Sequence, residues 1–323
     1  MNVLVTGGAG YIGSHTAKFL AQAGLQPIVL DNLKRGHRSA VKWGPLIEAD
    51  LGDRPALEKA FEQYPIEAVL HFAAFAYVGE SMQAPELYFR NNVVNTLNLL
   101  DVMREKRVRK IVFSSTCATY GNPLRIPIDE DHIQDPVNPY GESKRMVERL
   151  LHWYGTIYRL QWVALRYFNA AGADPEGDLV EDHNPETHLI PVAISAAKHL
   201  GKALEVYGTD YATPDGTAIR DYLHVTDLAA AHLAAIRYLD AGGASTAFNL
   251  GTGEGHSVRD VVAAIERVSG KTVPLREVAR RPGDPACLIA DPAKSGKLLG
   301  WRPQHSGLDE IVETAWRAGL KSP

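Results

Sequence analysis

The sequence predicts an α/β protein: a doubly wound parallel sheet with a smaller, interleaved C-terminal α/β unit. Three observations predict it. Short apolar runs alternate with amphipathic stretches through the first half of the chain. The runs are apolar at successive positions, as strands covered on both faces must be. Residues suited to meeting a ligand close one run after another: Gly7, Asp31, Asp50, Phe72, Ser114 and Tyr167. Sheets of this kind bind ligands at the carboxyl ends of their strands.

The elements follow in order. Val3-Leu4-Val5 is the first strand, and a glycine turn from Thr6 to Gly13 follows at once. The turn holds Gly8-x-Gly10-x-x-Gly13 and, overlapping it, Gly7-x-x-Gly10-x-x-Gly13. Helical spacing then runs through Ile12, Phe19 and Leu20 to Gly24. Ile28-Val29-Leu30 is the second strand, closed by Asp31, eighteen residues past Gly13. Residues 46–49 form a third strand, ending in Asp50-Leu51. Asp53 caps a helix opened by Pro55, with Leu57, Ala60, Phe61 and Tyr64 on its apolar stripe. Residues 68–72 are a strand followed by Ala73-Ala74, and one helix is expected over about 85–107. Residues 110–113 are a strand with Ser114-Ser115-Thr116 at its end.

A loop carrying Pro123, Pro127, Pro136 and Pro139 leads to a helix starting near Tyr140. Residues 162–165 are a strand ending in Arg166-Tyr167-Phe168-Asn169. Residues 172–188, rich in Gly, Asp, Pro and His, read as a surface loop. Helices are expected at 189–200, 227–239 and 257–268, strands at 204–207, 248–250 and 287–290, and two short helices in the tail. Residues 1–170 with about 219–250 are expected to form one domain, and 171–218 with 251–323 the smaller one.

A length of 323 residues suits one large or two intimately joined domains. Hydrophobic content of 45% and charged content of 22% are those of an ordinary globular chain. A net charge of −4 without a long basic run argues against a nucleic-acid partner. Cys117 and Cys287 make no disulfide framework, and the twelve histidines include no H-E-x-x-H pair, so no metal is expected. No apolar run reaches membrane-spanning length, and the N-terminus lacks a signal pattern. The expectation is a cytoplasmic enzyme.

The glycine turn has a specific chemistry. Glycines permit positive φ and let backbone approach a pyrophosphate, and the free N–H groups of the helix start attract its charge. Asp31 can accept both hydroxyls of an adenosine ribose and would repel a 2′-phosphate, so NAD is favoured over NADP. Lys34, Arg35 and Arg38 close by read as a solvated loop. Further on, Tyr140 and Lys144 stand one helical turn apart on one face. A free phenol is a poor base at neutral pH, but a nearby ammonium and a nicotinium charge favour the phenolate. Thr116 can hydrogen-bond a reacting hydroxyl and hand its proton toward Tyr140.

Together, Thr6–Gly13, Asp50-Leu51, Ser114–Thr116 and Tyr140–Lys144 resemble the extended short-chain dehydrogenase/reductase superfamily, most closely its UDP-hexose 4-epimerases. The resemblance runs nearly end to end: TGGAGYIGSH, VGES, NPYGESK, RYFNAAG, RDYLHVTDLA, NLGTG and RRPGD. It implies NAD contacts at Gly7, Gly10, Tyr11, Ile12, Asp31, Asn32, Asp50, Leu51, Phe72, Ala73, Ala74, Asn91, Ser114, Tyr140, Lys144 and Tyr167. It implies UDP-sugar contacts at Thr116, Tyr140, Asn169, Leu189, Tyr207, Arg220, Arg281, Asp284 and Leu288, with Tyr140, Lys144 and Thr116 catalytic. The chemistry agrees, since two arginines suit a pyrophosphate and Asp284 can accept from a ribose.

Three positions depart from the family pattern. Ala76, followed by Tyr77, stands where a lysine is usual, His188 stands for an asparagine, and Thr116 stands for a serine. The implied reaction is epimerisation at C4 of a UDP-hexose, UDP-galactose to UDP-glucose, through a transient 4-keto sugar. UDP-xylose and UDP-arabinose are the alternative substrates. A dehydratase would carry an acid after Thr116, where Cys117 and Ala118 stand, and a non-catalytic NAD sensor would lack Tyr140 or Lys144. The family pairs helices equivalent to 85–107 and 140–158, so a homodimer is expected.

Overall fold

The computed structural model describes residues 1–198, 202–281 and 283–319. Val3, Leu4 and Val5 are fully buried because strand β1 (Asn2–Thr6) lies inside a sheet covered by helices on both faces. The chain continues through α1 (Tyr11–Gln22), β2 (Gln26–Asp31), β3 (Leu46–Glu48), α2 (Arg54–Gln63) and β4 (Ala68–His71). Next come α3 (Val78–Ser81), α4 (Pro85–Tyr88), α5 (Asn95–Glu105), β5 (Lys110–Ser114), α6 (Pro139–Tyr158) and β6 (Gln161–Tyr167). The second half adds β7 (Asn169–Ala171), α7 (Leu189–Ala197), β8 (Leu204–Tyr207), β9 (Ile219–Arg220), β10 (Tyr222–His224), α8 (Val225–Asp240) and β11 (Thr246–Leu250). It closes with β12 (His256–Ser257), α9 (Val258–Ser269), β13 (Leu275–Val278), β14 (Cys287–Leu288), α10 (Ala293–Leu298) and α11 (Leu308–Ala318).

Seven strands make one parallel sheet in the order β11-β6-β5-β4-β1-β2-β3. The winding direction reverses between β1 and β4, which opens a crevice at their carboxyl ends. Alternate residues of each strand serve opposite faces. Leu4, Val69 and Ile111 join Leu57 of α2, Leu99 and Leu100 of α5, and Val147 and Leu151 of α6 on one face. Val3, Val5, Leu70, Val112 and Phe248 join Leu20 of α1 and Leu228, Ala231 and Ile236 of α8 on the other. Each leucine so buried contributes roughly 1.5–3 kcal/mol to holding the helices against the sheet. A third core gathers Ile190 and Ile194 of α7, Val261 and Ile265 of α9, and Ile311 and Val312 of α11.

Local signals set several boundaries. Asp53 accepts from Ala56 N at the start of α2. Ser257 and Asp260 form a reciprocal capping box on α9. The expected helix at 85–107 is broken differently: α4 runs into a π-helical stretch, Phe89–Val94, before α5 resumes. A single wide turn of that kind is short beside the α-helical turns flanking it, and no residue type in the sequence marks it. The helix at 189–200 ends at Ala197, and Leu200 lies outside the described residues, as does Pro282 of the Arg280–Asp284 segment. The strand at 287–290 shortens to β14 plus a single bridge from Ala290 to Ile128.

Two loops carry more than was expected of them. Lys34, Arg35 and Arg38 pair with Asp50, Glu80 and Glu48, and Arg35 also stacks on Phe75 and Tyr77. Their carboxylate partners lie 10 to 45 positions away along the chain, beyond any local pattern. Within 172–188, Asp174 is buried and, with Glu176 and Asp178, surrounds the Lys18 ammonium at 2.7–2.9 Å. Among the described residues no helix is long and apolar enough to cross a membrane.

Candidate active site

The first strand ends in a turn only glycine can make. Gly7 has φ +72°, and a Cβ there would meet Ala73 N at 2.6 Å. A Cβ on Gly13 would meet Gly7 O at 2.3 Å. These contacts draw α1 tightly against β1 and β4. No side chain caps Gly10 at the start of α1, so the first N–H groups of that helix face the crevice without a capping acceptor.

Asp31 is buried at the end of β2, its two oxygens accepting from Ala9 N at 3.0 Å and Leu33 N at 2.8 Å. Burial raises its carboxyl, and these N–H groups oppose the rise. Asp50, past the end of β3, accepts from Asn32 at 2.8 Å, Asn95 at 3.2 Å and Lys34 at 3.0 Å. Burial pushes its carboxyl up, but the Gly52 N–H, Lys34 and Asn32 hold it below its ordinary value. An uncapped helix start behind close-packed glycines and a carboxylate at the next strand end suit a dinucleotide, so the residues present fit NAD.

Helix α6 carries both Tyr140 and Lys144. Asn138 caps it by accepting from Gly141 N at 2.8 Å, and Pro139 opens it. Tyr140 and Lys144 are both buried. Lys144 Nζ donates to Ser114 O at 2.8 Å and lies 5.9 Å from the centre of the Tyr140 ring. Burial lowers this lysine to about 7, with Glu148 pulling the other way. Burial raises the Tyr140 phenol well above its ordinary value, and its hydrogen bond to Thr116 opposes the rise. Ser114 Oγ meets Tyr167 OH at 2.6 Å.

The other side of the cleft is built by the C-terminal half. Arg220 of β9 pairs with Asp284. The Arg281 guanidinium lies 3.8 Å from the centre of the Tyr207 ring at the end of β8. Asn169, Leu189 and Leu288 complete this wall. Every residue named above as a nucleotide, sugar or catalytic candidate lines one continuous cleft of about 1560 Å³. Gly7, Gly10, Tyr11, Ile12, Asp31, Asn32, Asp50 and Leu51 line it from the segments that close β1, β2 and β3 and open α1. Phe72, Ala73, Ala74, Asn91, Ser114, Thr116, Tyr140, Lys144 and Tyr167 join them to the sugar-side wall.

Several supporting residues escaped the sequence reading. Asn92 accepts from Phe75 N at 2.8 Å and donates to Phe75 O at 3.0 Å, and its amide also reaches Ser143 Oγ at 3.0 Å. It therefore ties the segment after β4 to α6. Glu148 and Arg166 form a buried pair at 2.6 Å beneath α6, and Ser115 donates to Glu148 at 2.6 Å. The one available signal was polarity, an asparagine and a glutamate within helices that otherwise pack.

Relatives share this arrangement from end to end. The NAD dependent epimerase/dehydratase family matches residues 3–251. A UDP-glucose 4-epimerase of Halalkalibacterium halodurans is 49% identical over 323 residues, covering 100% of this chain and 97% of the relative. A UDP-arabinose 4-epimerase of Arabidopsis thaliana is 42% identical, covering 98% of this chain and 78% of that protein. The crystal structure of a Brucella ovis UDP-glucose 4-epimerase in complex with NAD is 54% identical, with a TM-score of 0.96 over 98% of this chain and 97% of that one. With likeness running through the whole sheet and both walls of the cleft, the chain belongs to the NAD dependent epimerase/dehydratase family, among its UDP-glucose 4-epimerases.

Proposed function

We propose that this protein interconverts UDP-galactose and UDP-glucose by epimerisation at C4 with tightly held NAD. The observation that supports it best is that Tyr140, Lys144 and Thr116 line one cleft with the glycine turn, Asp31 and the arginines of the C-terminal half. The glycine turn and Asp31 stand at the carboxyl ends of β1 and β2, and Arg220, Arg281 and Asp284 line the cleft from the C-terminal half. Residues 171–218 and 251–323 act on this reading as the sugar-nucleotide half, and 1–170 with about 219–250 as the NAD half.

Bound NAD supplies a reversible hydride acceptor and, when oxidised, a positive charge. The chain's own residues handle the proton and the sugar. Thr116 orients the sugar 4-OH and passes its hydrogen bond to Tyr140. The Tyr140 oxygen takes the proton as the C4 ketone forms and returns it when the alcohol is restored. Left alone, the buried phenol keeps its proton, so the reaction needs positive charge close by, part of which Lys144 provides. Arg220 and Arg281 grip the pyrophosphate while the neutral ketone turns about its linkage and presents its other face. Cys117, with its thiol pushed by burial to about 12, and Ala118 offer no acid for elimination.

Sugar choice falls to Leu288 on this reading. It is buried at the cleft wall against Cys117, Tyr120, Phe168 and Ala290. A 2-acetamido group pressed against it would cost about 1–3 kcal/mol. Removing the C6 hydroxymethyl leaves only a gap, so UDP-xylose and UDP-arabinose are slower substrates. The Arabidopsis relative's name favours that second activity. The experiment is direct: incubate the purified protein with UDP-galactose, add no nicotinamide, and assay UDP-glucose. Absence of product, or product only with added NAD and release of NADH, overturns the reading.

The protein acts as a homodimer on the same reading. Leu87, Val94, Leu97, Met146, Trp153 and Ile157 are exposed on α4, α5, α6 and the π-helical stretch, and an apolar surface of that extent marks an interface.

A further inference from the structure

We propose that Glu181, His183, Glu186 and His188 form a zinc site that closes the loop at the mouth of the cleft. One ligand atom from each lies within 4.8 Å of the others. His183 Nδ1 is 3.4 Å from Glu181 and 3.5 Å from Glu186. His188 Nδ1 is 3.0 Å from Glu181 and 2.8 Å from Glu186. A tetrahedral zinc ion with bonds of about 2.0–2.1 Å holds neighbouring ligand atoms roughly 3.3 Å apart. The observed edges bracket that value.

The His183 nitrogen carries the argument further. It is buried and meets no hydrogen-bond partner at normal geometry, although it faces two carboxylates. That distance is long for a hydrogen bond and right for a shared ion. Among the described residues, Glu181 and Glu186 pair with these two imidazoles and with no lysine or arginine. The neighbouring cluster of Asp174, Glu176 and Asp178 differs, because the Lys18 ammonium fills it.

Two imidazoles with two carboxylates suit zinc, whereas calcium and magnesium require six or more ligands, mostly oxygen. The spacing Glu-x-His-x-x-Glu-x-His places all four ligands within eight residues of irregular chain, and a search for H-E-x-x-H misses it. An ion here would fix a strap between several parts of the cleft. The His183 ring packs edge-on against Tyr11 and Tyr77. His37 bonds the carbonyl of Asp182 at 3.0 Å. His188 directly precedes α7, whose first residue, Leu189, lines the cleft. The proposal rests on these residues and stands apart from the epimerase reading.

The test uses the full chain, stripped with a chelator and dialysed against zinc chloride, with bound metal counted by mass spectrometry. Cobalt(II) replaces zinc in a parallel sample. The expected result is one zinc per chain and the intense visible absorption of four-coordinate cobalt. His183→Gln and Glu186→Gln should each weaken uptake by more than the roughly 10- to 100-fold that losing an outer-shell partner costs. Substoichiometric uptake, the weak spectrum of six-coordinate cobalt, or uptake unchanged in both variants overturns the proposal. Where a variant fails to fold by circular dichroism, the cobalt spectrum of the unaltered chain decides.

Discussion

Burial works against charge at Lys144, and the consequence is measurable. Its folded value falls from 10.5 to about 7. Between those values the unfolded chain holds a proton that the folded chain has released, so this group's contribution to stability rises with pH across that window. Below it both states are protonated and the slope vanishes. Unaltered protein should therefore gain on Lys144→Met by up to about 1.4 kcal/mol per pH unit above neutrality. Urea denaturation at stepped pH checks this, and a pH-independent difference refutes it. Tyr140→Phe should lower kcat by about 10²–10⁴-fold or more while UDP-sugar affinity changes little, because the hydroxyl acts in the transition state. Near-normal turnover would assign the base elsewhere. Leu288→Ser should raise kcat/KM for UDP-N-acetylglucosamine about 10-fold or more without a matching gain on UDP-glucose. An equal change on both removes Leu288 as the gate. At this scale the Tyr-x-x-x-Lys spacing was legible because it is one helical turn. The carbonyl that fixes Lys144 is 30 positions away and was not.

Helices α4 and α5, with the π-helical stretch joining them, show what a local pattern conceals. The sequence reads as one helix, whereas the structure has a π-helical stretch that carries Asn91, which lines the cleft, and Asn92, which bonds the Phe75 backbone. Asn92→Ala would leave the part-buried Phe75 N–H and carbonyl without this partner, each costing about 1 kcal/mol or more. The expected loss is about 2 kcal/mol or more in denaturant unfolding, with weakened NAD retention because the segment from Phe72 to Phe75 loosens. Unchanged stability would mean water or another donor replaces the amide. Caps behaved differently: Asp53 and Ser257 act within three residues of themselves, so both were readable in advance.

On the scale of the molecule, the proposed homodimer rests on the exposed residues of α5 and α6. Trp153 is 51% exposed and Ile157 60%, a poor arrangement for a lone protomer in water. Trp153→Glu should shift a dimer to monomer in sedimentation at micromolar concentration, with the far-ultraviolet spectrum unchanged. A monomeric unaltered protein overturns the dimer outright.

The sequence alone determined the parallel sheet, the glycine turn and the order in which cleft-lining residues leave the strands. Those features follow from periodicity and from backbone chemistry within a few residues. The tertiary structure alone decided which distant groups meet. The pairing of Arg220 with Asp284, the buried Glu148–Arg166 pair between α6 and β6, and the enclosure of Lys18 by three carboxylates each join residues far apart in the chain. Charges so placed depend on burial and on distance through space, and neither quantity is written in spacing along a chain.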